Sequence, residues 1–197
     1  MPHVEKSNIV GLFGGSFNPP HEGHLLVSKS AIQRLCLNQL WWMVTPGNPL
    51  KDCTELPPLH ERMRLSIELI HHPKIRVTGF ERAMESTTSV ETVFHILTRY
   101  SGVRFVWVMG ADSLATFHYW HRWHDLVSML PIAVVDRPFT GFSALSSPMA
   151  RTYRSFRLDE RKSKMLPFMD PPVWTYLHGP LSFQSSTKLR LKKNDFS

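Results

Sequence analysis

The sequence predicts an α/β fold, Rossmann-like and doubly wound, with a mostly parallel sheet covered by helices on both faces. Three observations carry this expectation. Short, near-continuously apolar runs recur along the chain: NIVGLF from Asn8, LWWMVT from Leu40, RFVWVM from Arg104 and IAVV from Ile132. Strands read this way when both faces of their sheet are buried. Between the runs lie stretches whose apolar residues return at helical spacing, so strand and helix alternate. Glycine and proline then punctuate the pattern at Gly14-Gly15, Pro46-Gly47 and Gly110, where strands should stop.

The elements follow in order. Asn8–Phe13 is expected as a buried strand halted by a Gly14-Gly15 turn. Glu22–Leu37 carries Leu25, Leu26, Ala31, Ile32 and Leu35 on a helical spacing. Leu40–Thr45 is a second strand, followed by PGNPLKDCTELPP, an irregular loop long enough to suggest a functional role. Leu59–His71 is helical directly after Pro57-Pro58, as proline favours a helix start. Lys74–Thr78 alternates as a third strand. Thr88 or Ser89 can cap a helix running through Tyr100 with Val90, Val93, Phe94 and Leu97 on one side. After the strand Arg104–Met109, a helix is expected over Tyr119–Leu130 and a fifth strand over Ile132–Val135. The C-terminal part reads as a helix over Ala144–Phe156, a strand over Val173–Leu177 and a helix over Ser185–Lys193.

At 197 residues one domain is expected, residues 1–197, with the last helix in segment 180–197. Apolar residues at 42% and charged residues at 20% supply a real core and exclude a disordered chain. No apolar run approaches the roughly 20 residues that span a bilayer. The N-terminus lacks the basic and long apolar regions of a secretory signal. Cys36 and Cys53 form no CxxC pair, so neither a disulfide framework nor a zinc knuckle is expected. A cytoplasmic protein fits these features, with no membrane association; assembly into a homo-oligomer is left open. The formal net charge is +7. Nearly all of the excess lies in residues 151–197, in RTYRSFRLDERKSK and KLRLKK. Such a patch suits nucleic acid, a polyphosphate ligand or plain solvent.

In a doubly wound sheet, ligands sit beyond the carboxyl ends of the strands, where strand order reverses. That places the site at Gly14–His24, Thr45–Lys51 and Gly110–Trp120. The segment GGSFNPPHEGH (Gly14–His24) joins a strand to a helix. Its glycines permit close backbone approach, and a helix N-terminus offers amide donors suited to phosphate. His21 and His24, three apart, should face the same side of the first turn. No Gly-Lys-Ser/Thr follows, so this is not a Walker A loop. Far downstream, SSTKLR (Ser185–Arg190) reads as hydroxyls capping a basic helix. Taken singly, each feature has a structural alternative: a capped surface helix for SSTKLR, an N-cap for Asp112, core aromatics for Trp120 and Trp123.

GGSFNPPHEGH followed by SSTKLR resembles the nucleotidyltransferase superfamily with the (H/T)xGH and SSTxxR signatures. PGNPLK, HERMRLSIELI, VMGADSLATFHYWHRW and VVDRPF, in this order, narrow the resemblance to bacterial nicotinate-mononucleotide adenylyltransferase, over about Ile9 to Leu191. The resemblance implies transfer of AMP from ATP to nicotinate mononucleotide, giving deamido-NAD and pyrophosphate. Mg2+ would arrive with ATP as substrate, with no dedicated protein metal site. It further implies catalytic roles for His21, His24 and Arg190 at the ATP phosphates. Gly15, Ser16, Phe17, Lys51, Gly110, Asp112, Ser185, Ser186 and Thr187 would bind ATP, with Asp112 near the ribose. Ser89, Trp120 and Arg137 would bind nicotinate mononucleotide, Trp120 by stacking on the pyridine and Ser89 through a helix N-terminus. Three positions depart from the family pattern. Asn18 replaces a common Asp, Thr87-Thr88-Ser89 a Ser/Arg-Tyr-Thr, and Phe183-Gln184 an Asp-Ile. A related nucleotidyltransferase acting on nicotinamide mononucleotide or phosphopantetheine is the nearest alternative. A basic nucleic-acid-binding module is the remote one, and no RNP, KH or helix-turn-helix pattern supports it.

Overall fold

The computed structural model describes residues 2–47, 56–80 and 88–180, together with Ser182, Gln184, Ser186, Leu189 and Arg190. Seven strands form one sheet: β1 (Ile9–Gly15), β2 (Gln39–Val44), β3 (Ile75–Thr78), β4 (Arg104–Gly110), β5 (Ile132–Val135), β6 (Arg157–Leu158) and β7 (Trp174–Leu177). Their order is β3-β2-β1-β4-β5-β7-β6, and each pairing is parallel. The chain therefore winds outward from β1 through β2 to β3, then returns to the far side of β1 to start β4. That reversal makes the β1/β4 boundary the switch point of a doubly wound sheet.

The alternation along each strand divides the core. Phe13, Trp42, Val44, Val106, Val108 and Val135 face one layer, filled by Leu25, Val27, Ala31 and Ile32 of α1 (Glu22–Arg34) and flanked by α2 (Leu59–Leu69). Val10, Leu12, Trp41, Met43, Trp107 and Met109 face the other. It is covered by α3 (Ser89–Arg99), α4 (Ala111–Thr116), α5 (Trp123–Met129), α6 (Gly141–Leu145) and α7 (Pro148–Thr152). Strands buried on both faces thus account for the unbroken apolar runs of the sequence.

Where the structure departs from the sequence expectation, backbone chemistry gives the reason. Gly14 and Gly15 do not turn; they complete β1, in register with Met43 and Val44. The helix expected from Tyr119 starts only at Trp123, because Arg122 adopts a left-handed conformation with φ 52°. Before it come the short α4 and a 3-10 turn over Phe117–Tyr119. The stretch Ala144–Phe156 is split between α6 and α7, since Pro148 is tolerated only in the first turn of a helix and Ser147 caps it. A 3-10 segment over Glu160–Phe168 carries no apolar periodicity that could have announced it.

One buried polar contact fastens α1 to the sheet. The Trp42 Nε1–H donates to Ser28 Oγ at 2.7 Å, and Ser28 Oγ–H donates to the His24 carbonyl at 2.8 Å. Both residues are 0% exposed. Replacing Ser28 by Ala would strand the indole donor in the core, a penalty of about 1–3 kcal/mol. Urea unfolding of Ser28→Ala is expected to show that loss with an unchanged m value.

Candidate active site

The carboxyl ends of β1 and β4 meet at a backbone-lined edge. At Gly14 a side chain has no room: a Cβ there would stand 3.2 Å from the Trp107 ring. On leaving β1, the chain places Phe17 at φ 45°, an uncommon conformation for a bulky residue. Its ring is 1% exposed and lies flat on Trp42, with centroids 4.5 Å apart and planes at 9°. Burying a phenyl ring contributes about 1.5–3 kcal/mol, enough to offset a backbone strain of order 1–3 kcal/mol. Phe17 is therefore an anchor that sets the path of Gly15 and Ser16.

His21 is the N-cap of α1, with φ −154°, and His24 stands in the first turn. The His21 Nδ1 accepts the Gly23 N–H at 3.1 Å, and the His24 Nδ1 accepts the His21 N–H at 3.2 Å. The pair forms a reciprocal capping box built from imidazoles, with ring centroids 3.8 Å apart. Because each Nδ1 accepts, each neutral ring carries its proton on Nε2, turned away from the backbone bond. The amides of the first turn, however, are already engaged. Glu22 N–H donates to Gln184 Oε1 at 3.1 Å, Gly23 N–H to His21, and His24 N–H to the His21 carbonyl at 2.9 Å. The expectation of amide donors open to phosphate at this helix end is thus corrected: positive charge at this end comes from guanidinium groups.

Arg137 supplies one of those groups. Its side chain is 11% exposed; Nη2 donates to the Gln184 carbonyl at 3.0 Å, and Nε lies 4.0 Å from Asp112 Oδ1. The guanidinium packs so closely on Gly23 that a Cβ there would overlap it. The turn bearing Arg137 is fixed by Asp136, whose Oδ1 accepts both the Arg137 N–H at 2.8 Å and the Tyr176 hydroxyl at 2.6 Å. Burial first, then this carboxylate, holds the Tyr176 phenol well above its usual pKa. Gly110 is the N-cap of α4, and Asp112 is its exposed second residue, not the cap. The late segment docks on the early loop: Ser186 Oγ donates to the Pro19 carbonyl at 2.9 Å, and Arg190 Nη1 to the Asn18 carbonyl at 2.5 Å. His21, His24, Arg137, Asp112, Ser186 and Arg190 therefore gather at one edge. Lys51, Ser185 and Thr187 lie outside the described residues.

The remaining expected residues belong to the opposite face of the sheet. Trp120 is half-buried, edge-on to Trp107 at 6.1 Å and tilted on Phe117 at 5.2 Å. Through Trp107 it neighbours Gly14. Among the described residues the buried Trp107 Nε1–H has no hydrogen-bond partner. Ser89 opens α3, whose N-cap is Thr88; Thr88 Oγ1 accepts the Glu91 N–H at 3.3 Å, and Glu91 Oε2 accepts the Thr88 N–H at 3.2 Å.

Two residues of the site were not singled out from sequence. Gln184 was noted only as a departure from the family pattern, and nothing in its surroundings announces a helix cap. Arg62 had a readable signal: it falls on the face of α2 shared by Leu59, Met63 and Ser66, where a charge is out of place. Its buried side chain reaches carbonyls of the loops that follow β1 and β2.

His21 is 4% exposed, and its pKa is lowered from 6.5 to about 4, chiefly by burial and then by Arg137, with Asp112 opposing. Below pH 6.5 the unfolded chain binds a proton here that the folded chain refuses, so stability falls as pH drops from about 6.5 toward 4 and is unaffected above. Between pH 7.5 and 4.5 this linkage amounts to roughly 2–3 kcal/mol. His21→Asn, which retains a capping side chain, is expected to lose less stability than the wild-type protein over that interval, by urea unfolding at both pH values.

Residues 12–192 match the cytidylyltransferase-like family. A Mesorhizobium japonicum protein named "Probable nicotinate-nucleotide adenylyltransferase" is 53% identical over 190 residues, covering 96% of this chain and 97% of its own. A Brucella abortus protein of the same name is 56% identical over 181 residues, covering 92% and 93%. The fold is shared with Plasmodium falciparum nicotinic acid mononucleotide adenylyltransferase, solved in complex with NaAD. That match has a TM-score of 0.68 at 18% identity and covers 93% of this chain and 83% of that one. A doubly wound sheet, an imidazole pair at its switch point and relatives of matching length lead to one conclusion: this chain belongs to the nicotinate-nucleotide adenylyltransferase family of nucleotidyltransferases.

Proposed function

We propose that the enzyme transfers AMP from ATP to nicotinate mononucleotide, forming deamido-NAD and pyrophosphate, a step of NAD biosynthesis in the cytoplasm. The observation that carries this reading is the docking of Ser186 and Arg190 on Asn18 and Pro19, which brings the late basic segment beside His21 and His24. His21, His24, Arg137 and Arg190 then bring four nitrogen-bearing side chains to one edge of the sheet, a set suited to a polyphosphate.

In the proposed reaction, a phosphate oxygen of the mononucleotide attacks the α-phosphorus of ATP in line. The bond from that phosphorus to the bridging oxygen of the pyrophosphate breaks, and pyrophosphate leaves with the electron pair. The attacking oxygen carries no proton at neutral pH, so no general base is required. Catalysis is positioning and charge stabilisation. His24 and His21 donate Nε2–H to oxygens of the α-phosphoryl group as charge builds there. Arg190 steadies the leaving phosphates, with Ser185, Ser186, Thr187 and Lys51 as further polyphosphate contacts. Gly15, Ser16 and Phe17 define the path of the nucleotide, while Gly110 and Asp112 hold its ribose. Across the sheet edge, Trp120 stacks on the pyridine and the α3 N-terminus at Ser89 meets the carboxylate. Arg137, held against Gly23, bridges the two sides at the mononucleotide phosphate. ATP brings Mg2+ as part of the substrate; the site's donors are imidazoles and guanidinium groups with one exposed carboxylate, a set that suits a polyphosphate already carrying its hydrated metal. Among the described residues no helix is long and apolar enough to cross a membrane.

Pyrophosphate release is expected with ATP and nicotinate mononucleotide, and more slowly with nicotinamide mononucleotide or phosphopantetheine; faster release with either of these overturns the acceptor assignment. In that assay His24→Ala should remain folded, with a cap loss of about 1 kcal/mol in stability, yet lose about 10²–10³-fold in kcat, the usual cost of a transition-state donor. Trp120→Ala should raise KM for the mononucleotide more than for ATP, whereas an equal rise in both would contradict stacking on the pyridine.

A further inference from the structure

Arg62 is among the largest fully buried side chains, at 1% exposure. It enters from the second turn of α2 and donates to four backbone carbonyls. Nε reaches Pro57 O at 2.9 Å, Nη1 reaches Ser16 O at 2.7 Å and Thr45 O at 2.8 Å, and Nη2 reaches Pro46 O at 3.1 Å. These acceptors belong to three separate segments: the exit of β1, the exit of β2 and the entry to α2. Thr45 is further tied to β1 through its N–H, which donates to the Gly15 carbonyl at 3.0 Å.

Burying a guanidinium is costly, and apolar residues of similar volume often serve stability as well or better. What an apolar residue cannot do is hold several carbonyls in one plane. The guanidinium fork presents five N–H donors at fixed angles, whereas an ammonium offers three rotating ones from a single atom. We propose that Arg62 is a positioning residue for ATP, setting Ser16 and the exits of β1 and β2 in their binding geometry before the nucleotide arrives. This rests on the adenylyl-transfer reading above for the identity of the nucleotide. It ties the residue to ATP because Ser16, one of the four acceptors, is a residue given to ATP, and none of the four is near Trp120 or Ser89 in the chain.

The test compares wild-type protein with Arg62→Lys, which keeps the charge and removes the fork. Displacement of reacting groups by about 1 Å can cost on the order of 10²-fold, so kcat/KM for ATP should fall at least about tenfold. KM for nicotinate mononucleotide should stay within about twofold. Hydrogen exchange provides the readout that does not depend on activity: the amides of 15–17, Thr45 and Gly47 should exchange faster in the variant, while those of β4 and β5 keep their wild-type rates. Unchanged kcat/KM for ATP in a folded variant overturns the proposal. So does a KM that rises equally for both substrates, exchange that rises throughout the sheet, or failure of Arg62→Lys to fold, since each marks a general structural role. If the wild-type enzyme released no pyrophosphate from this substrate pair, the functional reading would fail. The exchange pattern would still decide the positioning role: acceleration confined to 15–17, Thr45 and Gly47 supports it, and any other pattern overturns it.

Discussion

Each of two imidazoles gives its Nδ1 to a backbone amide at the start of α1, and the rest of the site depends on that reciprocal bond. It ends the loop that leaves β1 and starts the helix that covers one face of the sheet. It also fixes which nitrogen of each ring carries the proton. A capping box of Ser and Glu would satisfy the same amides, but it would offer no ring N–H. In the proposed reaction one pair of residues serves as the helix cap and as a pair of donors. The low pKa of His21 belongs to the same design: the ring donates as a neutral imidazole, its Nδ1 committed to the backbone.

The β1/β4 switch point divides the labour between the two faces of the sheet. His21, His24 and Phe17 pack with the α1 layer, while Trp120 packs with the layer that includes α3, α4 and α5. The two faces meet at the ends of the strands, where Gly14 keeps the backbone bare beside Trp107. In the proposed reaction the two substrates lie one on each side, and the reacting phosphates meet above that edge. Arg137 sits at the join: it touches α1 through Gly23 and the strand-to-helix turn of β4 through Asp112.

The architecture was largely legible because strands buried on both faces write themselves as solid apolar runs; β5 was located to the residue, and β2, β3 and β7 to within a residue or so at each end. Elements decided by backbone conformation or tertiary support were not. The left-handed Arg122 delays α5, and the two-residue β6 exists only by pairing with β7. The gathering of His21, His24 and Arg190 followed from a resemblance between distant motifs, and the sequence offered no geometry for it. The fate of the α1 amides was misread for a related reason. A helix end looks vacant in a sequence, and only the folded chain reveals that Gln184, far along the polypeptide, occupies Glu22 N–H. Arg62 is the opposite case, legible as a charge on the face of α2 that packs against the sheet.

The bonds from Arg190 to Asn18 and from Gln184 to Glu22 join positions 172 and 162 residues apart. During synthesis, chains fold from the N-terminus forward, and the strands of the sheet end at Leu177. The seven strands can thus pair before Gln184 and Arg190 reach the first loop, which makes docking of the late segment a step separate from closing the sheet. In the proposed reaction, a molecule whose sheet is complete and whose late segment is undocked holds its shape without its full set of phosphate contacts.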